Sequence, residues 1–407
     1  MALHPLHRAW RLLPAGARRR ALAGASTVLA PRPDKNPPQA QAGVLVGGEI
    51  GRASGLGEGA RLMLAALGQL GVPTWPIEAG LDRPGETRKR TVPTTLPAGA
   101  PIVLHVNSPS LPAALLRLPR HLLRGRHVVG YWAWELETVP PAWRAGARFV
   151  HEIWTPSRFS AAALESLAPG RVRVVPHPVA IRPPAPSELT RADFGLPEQS
   201  VIVLVSFSLA SSFERKNPLG AIAAFRAAFG ERADRILLLK VVHGDHAPDD
   251  LARLQAAIAG ASNIRLETRL LPAADSHALT RCADIVLSLH RSEGFGLVPA
   301  EAMLLGRPVI ATNYSGTTDF LDATCGMPVG YRLVPARDPR GVFEAPEARW
   351  AEADQSEAAT CLTCLADDPA RRGQLGLAAR NAALARLGSD GLARAVRSLG
   401  LPVAAPL

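Results

Sequence analysis

Aromatic side chains are scarce in this chain, with seven tryptophans, three tyrosines and ten phenylalanines making up 5% of its 407 residues. Proteins that grip single-stranded nucleic acid stack bases on aromatic platforms set among basic residues. No such interleaving occurs here, so nucleic acid is the least favoured of the acidic partners open to a basic chain. Cysteine is scarce too. Cys282, Cys325, Cys361 and Cys364 do not form the two spaced pairs of a structural zinc. Cys361 and Cys364 stand one helical turn apart and read as small buried thiols, consistent with a reducing cytoplasm. No run approaches the ~20 consecutive apolar residues that span a bilayer. Acidic residues are missing from the start of the chain. The first is Asp34, preceded by Arg8, Arg11, Arg18, Arg19, Arg20 and Arg32, with Trp10, Leu12 and Leu13 among them. Residues 1–40 make a poor secretory signal, having no apolar core with a small-residue cleavage site. They read as a basic tail that is either disordered or laid on an anionic membrane surface.

What is present is globular: 47% hydrophobic and 20% charged residues, with a formal net charge of +11. A positive surface suits nucleotide phosphates or an anionic leaflet. The length fits two α/β domains, and two domains imply a cleft. Short apolar runs at 42–46, 102–106, 127–131, 152–155 and 172–175 alternate with helical patterns such as 56–70, which predicts a mostly parallel sheet covered on both faces. A Pro-rich stretch, PHPVAIRPPAP, follows at 176–186. Alternation then resumes, with strands expected at 201–207, 235–242, 263–267, 285–288 and 308–311 and helices at 218–229, 247–259, 274–282 and 297–305. The domain reading is a tail at 1–40, a first Rossmann-like domain at 41–178, a linker at 179–195, a second Rossmann-like domain at 196–384, and a helical segment at 385–407 returning toward the first domain.

In such sheets ligands bind outside the carboxyl ends of the strands, so chemistry belongs on strand-to-helix loops. The loop after 285–288 reads HRSEGFGLVPAEAMLLGRPVIA. Gly294 and Gly296 let the backbone approach a ligand, and the helix beginning at Leu297 offers unpaired N–H groups and its positive dipole end, a site for a diphosphate. Glu293 and Glu301, with seven residues between them, can face one ligand from either side of the helix start. Carboxylates suit hydroxyls, so a sugar on one side and a ribose on the other is coherent. The loop after 201–207 reads SLASSFERKNP, where Arg215 and Lys216 precede a helix opened by Pro218. Two cations there also suit a diphosphate.

These segments together (FERKNP, then SEGFGLVPAEAMLLGRPVIATNYSGTTDFL, then RWAEAD) resemble glycosyltransferase family 4, whose members are retaining enzymes of the GT-B fold. The likeness covers most of 195–382. The first half resembles a bacterial polysaccharide-biosynthesis branch through GGEIGRASGLGEGARLML, HVNSP, GYWAWELETVPPAW and EIWTPSRFS. The resemblance implies that Lys216 and Arg215 neutralise the donor diphosphate. Glu293, with the amides of Gly294, Phe295 and Gly296, would hold the transferred sugar. Glu301 would take the ribose, Leu297 and Val298 would pack near the nucleoside, and Leu270 would lie beside the base. Gly55, Leu56 and Gly57 would close over the phosphates, and His105 would reach the sugar or acceptor. Trp132, Trp134 and Glu135 read equally as acceptor lining or as packing. In one departure, a basic residue common near the start of the phosphate loop has no counterpart among Ser208, Leu209, Ala210 and Ser211.

The resemblance therefore implies a hexosyltransferase that uses GDP-mannose or a UDP-hexose as co-substrate, needs no metal or other cofactor, and acts on a glycan or lipid-linked acceptor for a cell-surface polysaccharide or glycolipid. The expected location is the cytoplasm, with peripheral contact at the cytoplasmic face of the inner membrane. The competing reading from another class is a non-catalytic basic module that binds sugar nucleotide or nucleic acid. Steep salt dependence without sugar-nucleotide binding would mark its nucleic-acid form.

Overall fold

The computed structural model describes residues 14–81, 92–343, 345 and 347–404. Strands β1 (Val44–Gly48), β2 (Thr74–Glu78), β3 (Ile102–His105), β4 (Val128–Tyr131), β5 (Glu152–Thr155) and β6 (Val172–Val174) form one sheet in the order β2-β1-β3-β4-β5-β6. A second sheet contains β7 (Val201–Ser208), β8 (Arg235–Val242), β9 (Ile264–Glu267), β10 (Ile285–Ser288), β11 (Val309–Thr312) and β12 (Met327–Val329), in the order β12-β11-β10-β7-β8-β9. Every pairing in both sheets is parallel. Strands such as β1 and β3 are buried throughout, which is why they read as unbroken apolar runs rather than alternating ones.

This is two Rossmann-like α/β domains, as the alternating pattern predicts. Each sheet reverses its direction of growth once, at β1/β3 in the first and at β7/β10 in the second. A crevice opens at such a reversal because neighbouring connections leave to opposite faces. The loops flanking the second reversal are the ones that carry Lys216 and Glu293.

Local chemistry fixes the element ends. Ser54 caps the helix Gly55–Gln69, its side chain accepting from Gly57 N. Gly55, Leu56 and Gly57 are thus its first turn and not a free loop. Asn217 sits at φ 51° and caps the helix Pro218–Phe229, accepting from Gly220 N, a left-handed position that asparagine tolerates.

Three features depart from expectation. Residues Ala15–Leu29 of the basic tail, read as either disordered or laid on a membrane surface, form a helix that lies against the helix Leu111–Leu115. Arg8, Trp10, Arg11, Leu12 and Leu13 lie outside the described residues. Strand β2, with an isoleucine as its single buried residue, carries too weak an apolar run to be read in advance. An antiparallel pair, β13 (Tyr331–Pro335) and β14 (Arg349–Ala353), leaves the second domain, and Phe343, Ala348 and Trp350 from it enter the apolar core of the first. The last helix, Asp390–Ser398, packs Leu392, Ala393 and Val396 into the other core of the first domain.

Candidate functional site

Asn217 draws the two loops at the β7/β10 reversal together. Its Nδ2 donates to the carbonyl of Leu289 at 3.0 Å, and the Arg291 amide donates to the Arg215 carbonyl at 2.8 Å. The short helix Phe213–Lys216 is thereby pinned beside the Glu293 loop. Lys216 Nζ ion-pairs with Glu293 Oε1, and Arg215 Nη1 lies 3.0 Å from Oε2. The Arg215 guanidinium also donates to the Ser292 carbonyl and to Ser211 Oγ, each at 2.7 Å. Both cations expected for a diphosphate thus converge on the first carboxylate of the pair. Burial alone would raise the Glu293 carboxyl, but Lys216 and Arg215 outweigh it and hold the group well below the usual carboxylate range. Its backbone is fixed too: the Glu293 amide donates to Ser315 Oγ at 2.8 Å, and its carbonyl accepts from Gly316 N at 2.9 Å.

Gly296 is required by close approach and by its backbone angle. A Cβ on Gly296, at φ 102°, would stand 2.6 Å from Thr317 Cγ2. Gly294 lies under residues 133–135 of the first domain, and its carbonyl accepts from Ser157 Oγ at 2.6 Å. Phe295 is buried and meets His177 edge-on at 5.0 Å. The helix Leu297–Leu304 starts there, with Leu297 and Val298 half-buried. Glu301, one turn in, is pushed up to about 8 by burial, reinforced by Glu58 in the first turn of the helix Gly55–Gln69. Leu270 is exposed on the connection between β9 and the helix Ala273–Cys282.

His105 differs from its expected position. It ends β3 but is fully buried, stacked on Tyr131 with ring centroids 4.3 Å apart, its Nε2 3.4 Å from Met63 Sδ. Its Nδ1 has no hydrogen-bond partner. In this arrangement the ring is enclosed and does not open to the cleft. Trp132 and Trp134 are buried as well, Trp134 against Trp143 at 4.9 Å and Phe343 at 5.5 Å.

Sequence reasoning missed several contributors. Arg340, on the turn between β13 and β14, donates to the carbonyls of Leu209 (2.7 Å) and Ser211 (2.6 Å). A basic group therefore stands at the start of the loop after β7, contributed from far along the chain, although Asp250 also engages it at 2.5 Å. Ser157 and Ser160, which tie the first domain to Gly294, lie within EIWTPSRFS, where the only signal is a serine placed to cap a helix. Among the described residues, no group of three or more His, Cys, Asp or Glu could hold a metal ion, and no helix is long and apolar enough to cross a membrane.

Two Rossmann-like domains with their switch points turned to a shared cleft define the GT-B class of fold. Solved structures of that class match the chain along most of its length. A glycosyltransferase from Rickettsia africae superimposes with a TM-score of 0.61 at 14% identity, over 88% of this chain and 98% of that one. The Anabaena protein HepE, solved in complex with UDP and glucose, gives 0.59 at 14% identity over 88% and 100%. Residues 201–348, which hold the Lys216 and Glu293 loops, match the family model described as glycosyl transferases group 1. A D-inositol 3-phosphate glycosyltransferase from a Nocardioides species is 31% identical over 191 residues, 44% of this chain and 40% of that protein. The match spans less than half the length of the curated relatives it reaches.

Proposed function

We propose that the chain is a GT-B glycosyltransferase that moves a hexose from a sugar nucleotide to a hydroxyl acceptor with retention of configuration. The observation that carries this reading is the convergence at the β7/β10 reversal. Lys216 and Arg215 meet Glu293 immediately before the glycine-spaced start of the helix Leu297–Leu304, with Glu301 one turn in. In the resting protein Glu293 neutralises the two cations. A bound donor would bring a diphosphate to the cations and the helix N–H groups, freeing the carboxylate for sugar hydroxyls. As the bond from the sugar to the diphosphate breaks, charge grows on the departing phosphate, and cations already in place stabilise it. Glu301 would accept from the ribose. The enclosed His105 would act by bracing β3 and Tyr131 beneath the sugar.

The donor is a GDP- or UDP-hexose, with GDP-mannose favoured, and the acceptor a glycan or lipid-linked sugar of a cell-surface polymer. The mechanism calls on no metal. Arg18 and Arg20, with exposed Leu22, Val28 and Leu29 on the helix Ala15–Leu29, favour peripheral contact with an anionic membrane on its cytoplasmic face. A thermal-shift panel of nucleoside diphosphates and sugar nucleotides tests the reading. Stabilisation by one base class identifies the donor, and stabilisation by none of them refutes the assignment.

A further inference from the structure

Beside the Arg215–Glu293 pair, between the domains, lies a cavity of ≈ 480 Å³, within the range of small-molecule sites. The first domain supplies Asn107, Trp134, Glu135 and Trp143, and the second supplies Ser211 and Phe343. The two sides are joined through Phe343, which stacks on Trp134 and lies 5.4 Å beneath the Arg215 guanidinium. Asn107 fixes the Glu135 loop by exchanging hydrogen bonds with the amide and carbonyl of Ala133, both at 3.0 Å.

The charges of this cavity are unequal. Arg340 at its rim is engaged by two carbonyls and Asp250, and Arg215 behind it by Glu293, the Ser292 carbonyl and Ser211. Glu135 has no such partner. Its side chain is 22% exposed, and the nearest cation, Arg215 Nη2, stands 3.8 Å from Oε1, beyond hydrogen-bond reach. Among the described lining residues the group left wanting a partner is therefore a carboxylate, which accepts from hydroxyls and repels anions. Pro109, Trp134, Pro140, Trp143 and Phe343 add an apolar part to the wall, suited to the C–H faces of a saturated ring, and serines and Asn107 add polar groups.

We propose that this cavity is the acceptor subsite, and that it takes an uncharged, polyhydroxylated ring, with Glu135 accepting a hydrogen bond from one of its hydroxyls. The proposal rests on the transferase reading above and narrows it. It also separates the chain from relatives named for a phosphorylated polyol, since a phosphate here would face Glu135.

Saturation-transfer NMR on the full chain, with UDP or GDP present, tests it using methyl α-mannopyranoside, methyl α-glucopyranoside and myo-inositol against mannose 6-phosphate and inositol 3-phosphate. The neutral rings are expected to give signal and the phosphorylated ones none. Glu135→Gln should weaken the neutral rings about tenfold, the worth of one hydrogen bond to a charged group. Val342→Trp, at an exposed position on the rim, should abolish their signal while the nucleotide still raises the melting temperature. Phosphorylated rings binding as well as neutral ones, neutral rings giving no signal, or a signal that survives Val342→Trp would each overturn the subsite. Failure of every nucleotide to bind would instead overturn the transferase reading.

Discussion

Lys216 donates to Oε1 of Glu293 across 77 positions of sequence, while Arg215 holds the other oxygen at 3.0 Å. One buried carboxylate therefore offsets a buried and a half-buried cation, and removing it should cost stability as well as activity. Glu293→Ala is expected to destabilise the protein by about 3–5 kcal/mol, the usual penalty for uncompensated buried charge. Glu293→Gln keeps the shape but turns an NH2 donor toward one of the two cations and leaves both without their counter-charge, so it should be destabilising as well. Both should abolish transfer. Urea titrations of the two variants check this, and a Glu293→Ala protein as stable as the parent would mean that the cations have other counter-charges.

Glu301 supplies a pH signature. Burial and Glu58 push it up to about 8, above the ordinary value of ~4.3 in an unfolded chain. The folded state thus holds the extra proton, and this group's contribution to stability falls as pH rises from about 4.3 toward 8. Ribose hydroxyls favour the ionised form, so nucleotide binding should release up to one proton near neutral pH and tighten between pH 6 and 8. Calorimetry in buffers of differing ionisation heat measures that release. Glu301→Gln should eliminate it, and an unchanged proton count in that variant would dissociate the effect from Glu301.

The meeting of Lys216 and Arg215 with Glu293 was legible in sequence because these residues sit in two short segments, FERKNP and SEGFGLVPAEA, each on a strand-to-helix loop. The alternating strands gave the two domains for the same reason: burial on both faces writes itself as apolar runs. What escaped was long-range. Phe343 follows two charged residues and a glycine in DPRGVF and looks like loop, yet it fills the core of the other domain. Arg340 reaches the loop after β7 from more than a hundred positions away. His105 looked available at a strand end because the sequence does not show that Tyr131 and Met63 cover it.

The buried histidines act in the opposite sense to Glu301. Burial holds His177 and His290 at about 4, and His105 well below its ordinary value. Each is neutral in the fold but takes a proton in the unfolded chain below about 6.5. Their contribution is present in full above that pH and is lost as pH falls toward 4. Unfolding free energy should therefore drop steeply between pH 6.5 and 4.5, more than Glu301 can offset in that window. Denaturant titrations at pH 7.5, 6.0 and 5.0 test this, and His290→Gln should flatten the slope. A profile flat across this range would mean that these rings protonate without unfolding.

Ser157 has two tasks that can be separated from a neighbouring ion pair. Its Oγ accepts from Ser160 N at 3.2 Å, capping the helix Arg158–Glu165, and donates to the Gly294 carbonyl of the other domain at 2.6 Å. One residue on, Arg158 pairs with Asp319 at 3.0 Å, but that arginine is 74% exposed. Loss of the buried cap and bond in Ser157→Ala should cost about 1–3 kcal/mol, while Arg158→Ala, which keeps the backbone amide on Asp319, should cost less than about 1 kcal/mol. Because the Gly294 carbonyl belongs to the other domain, Ser157→Ala should also loosen closure of the two domains. Small-angle scattering should record a larger radius of gyration for Ser157→Ala and none for Arg158→Ala. Equal effects in both would place the hold between the domains in surface charge rather than in the buried serine.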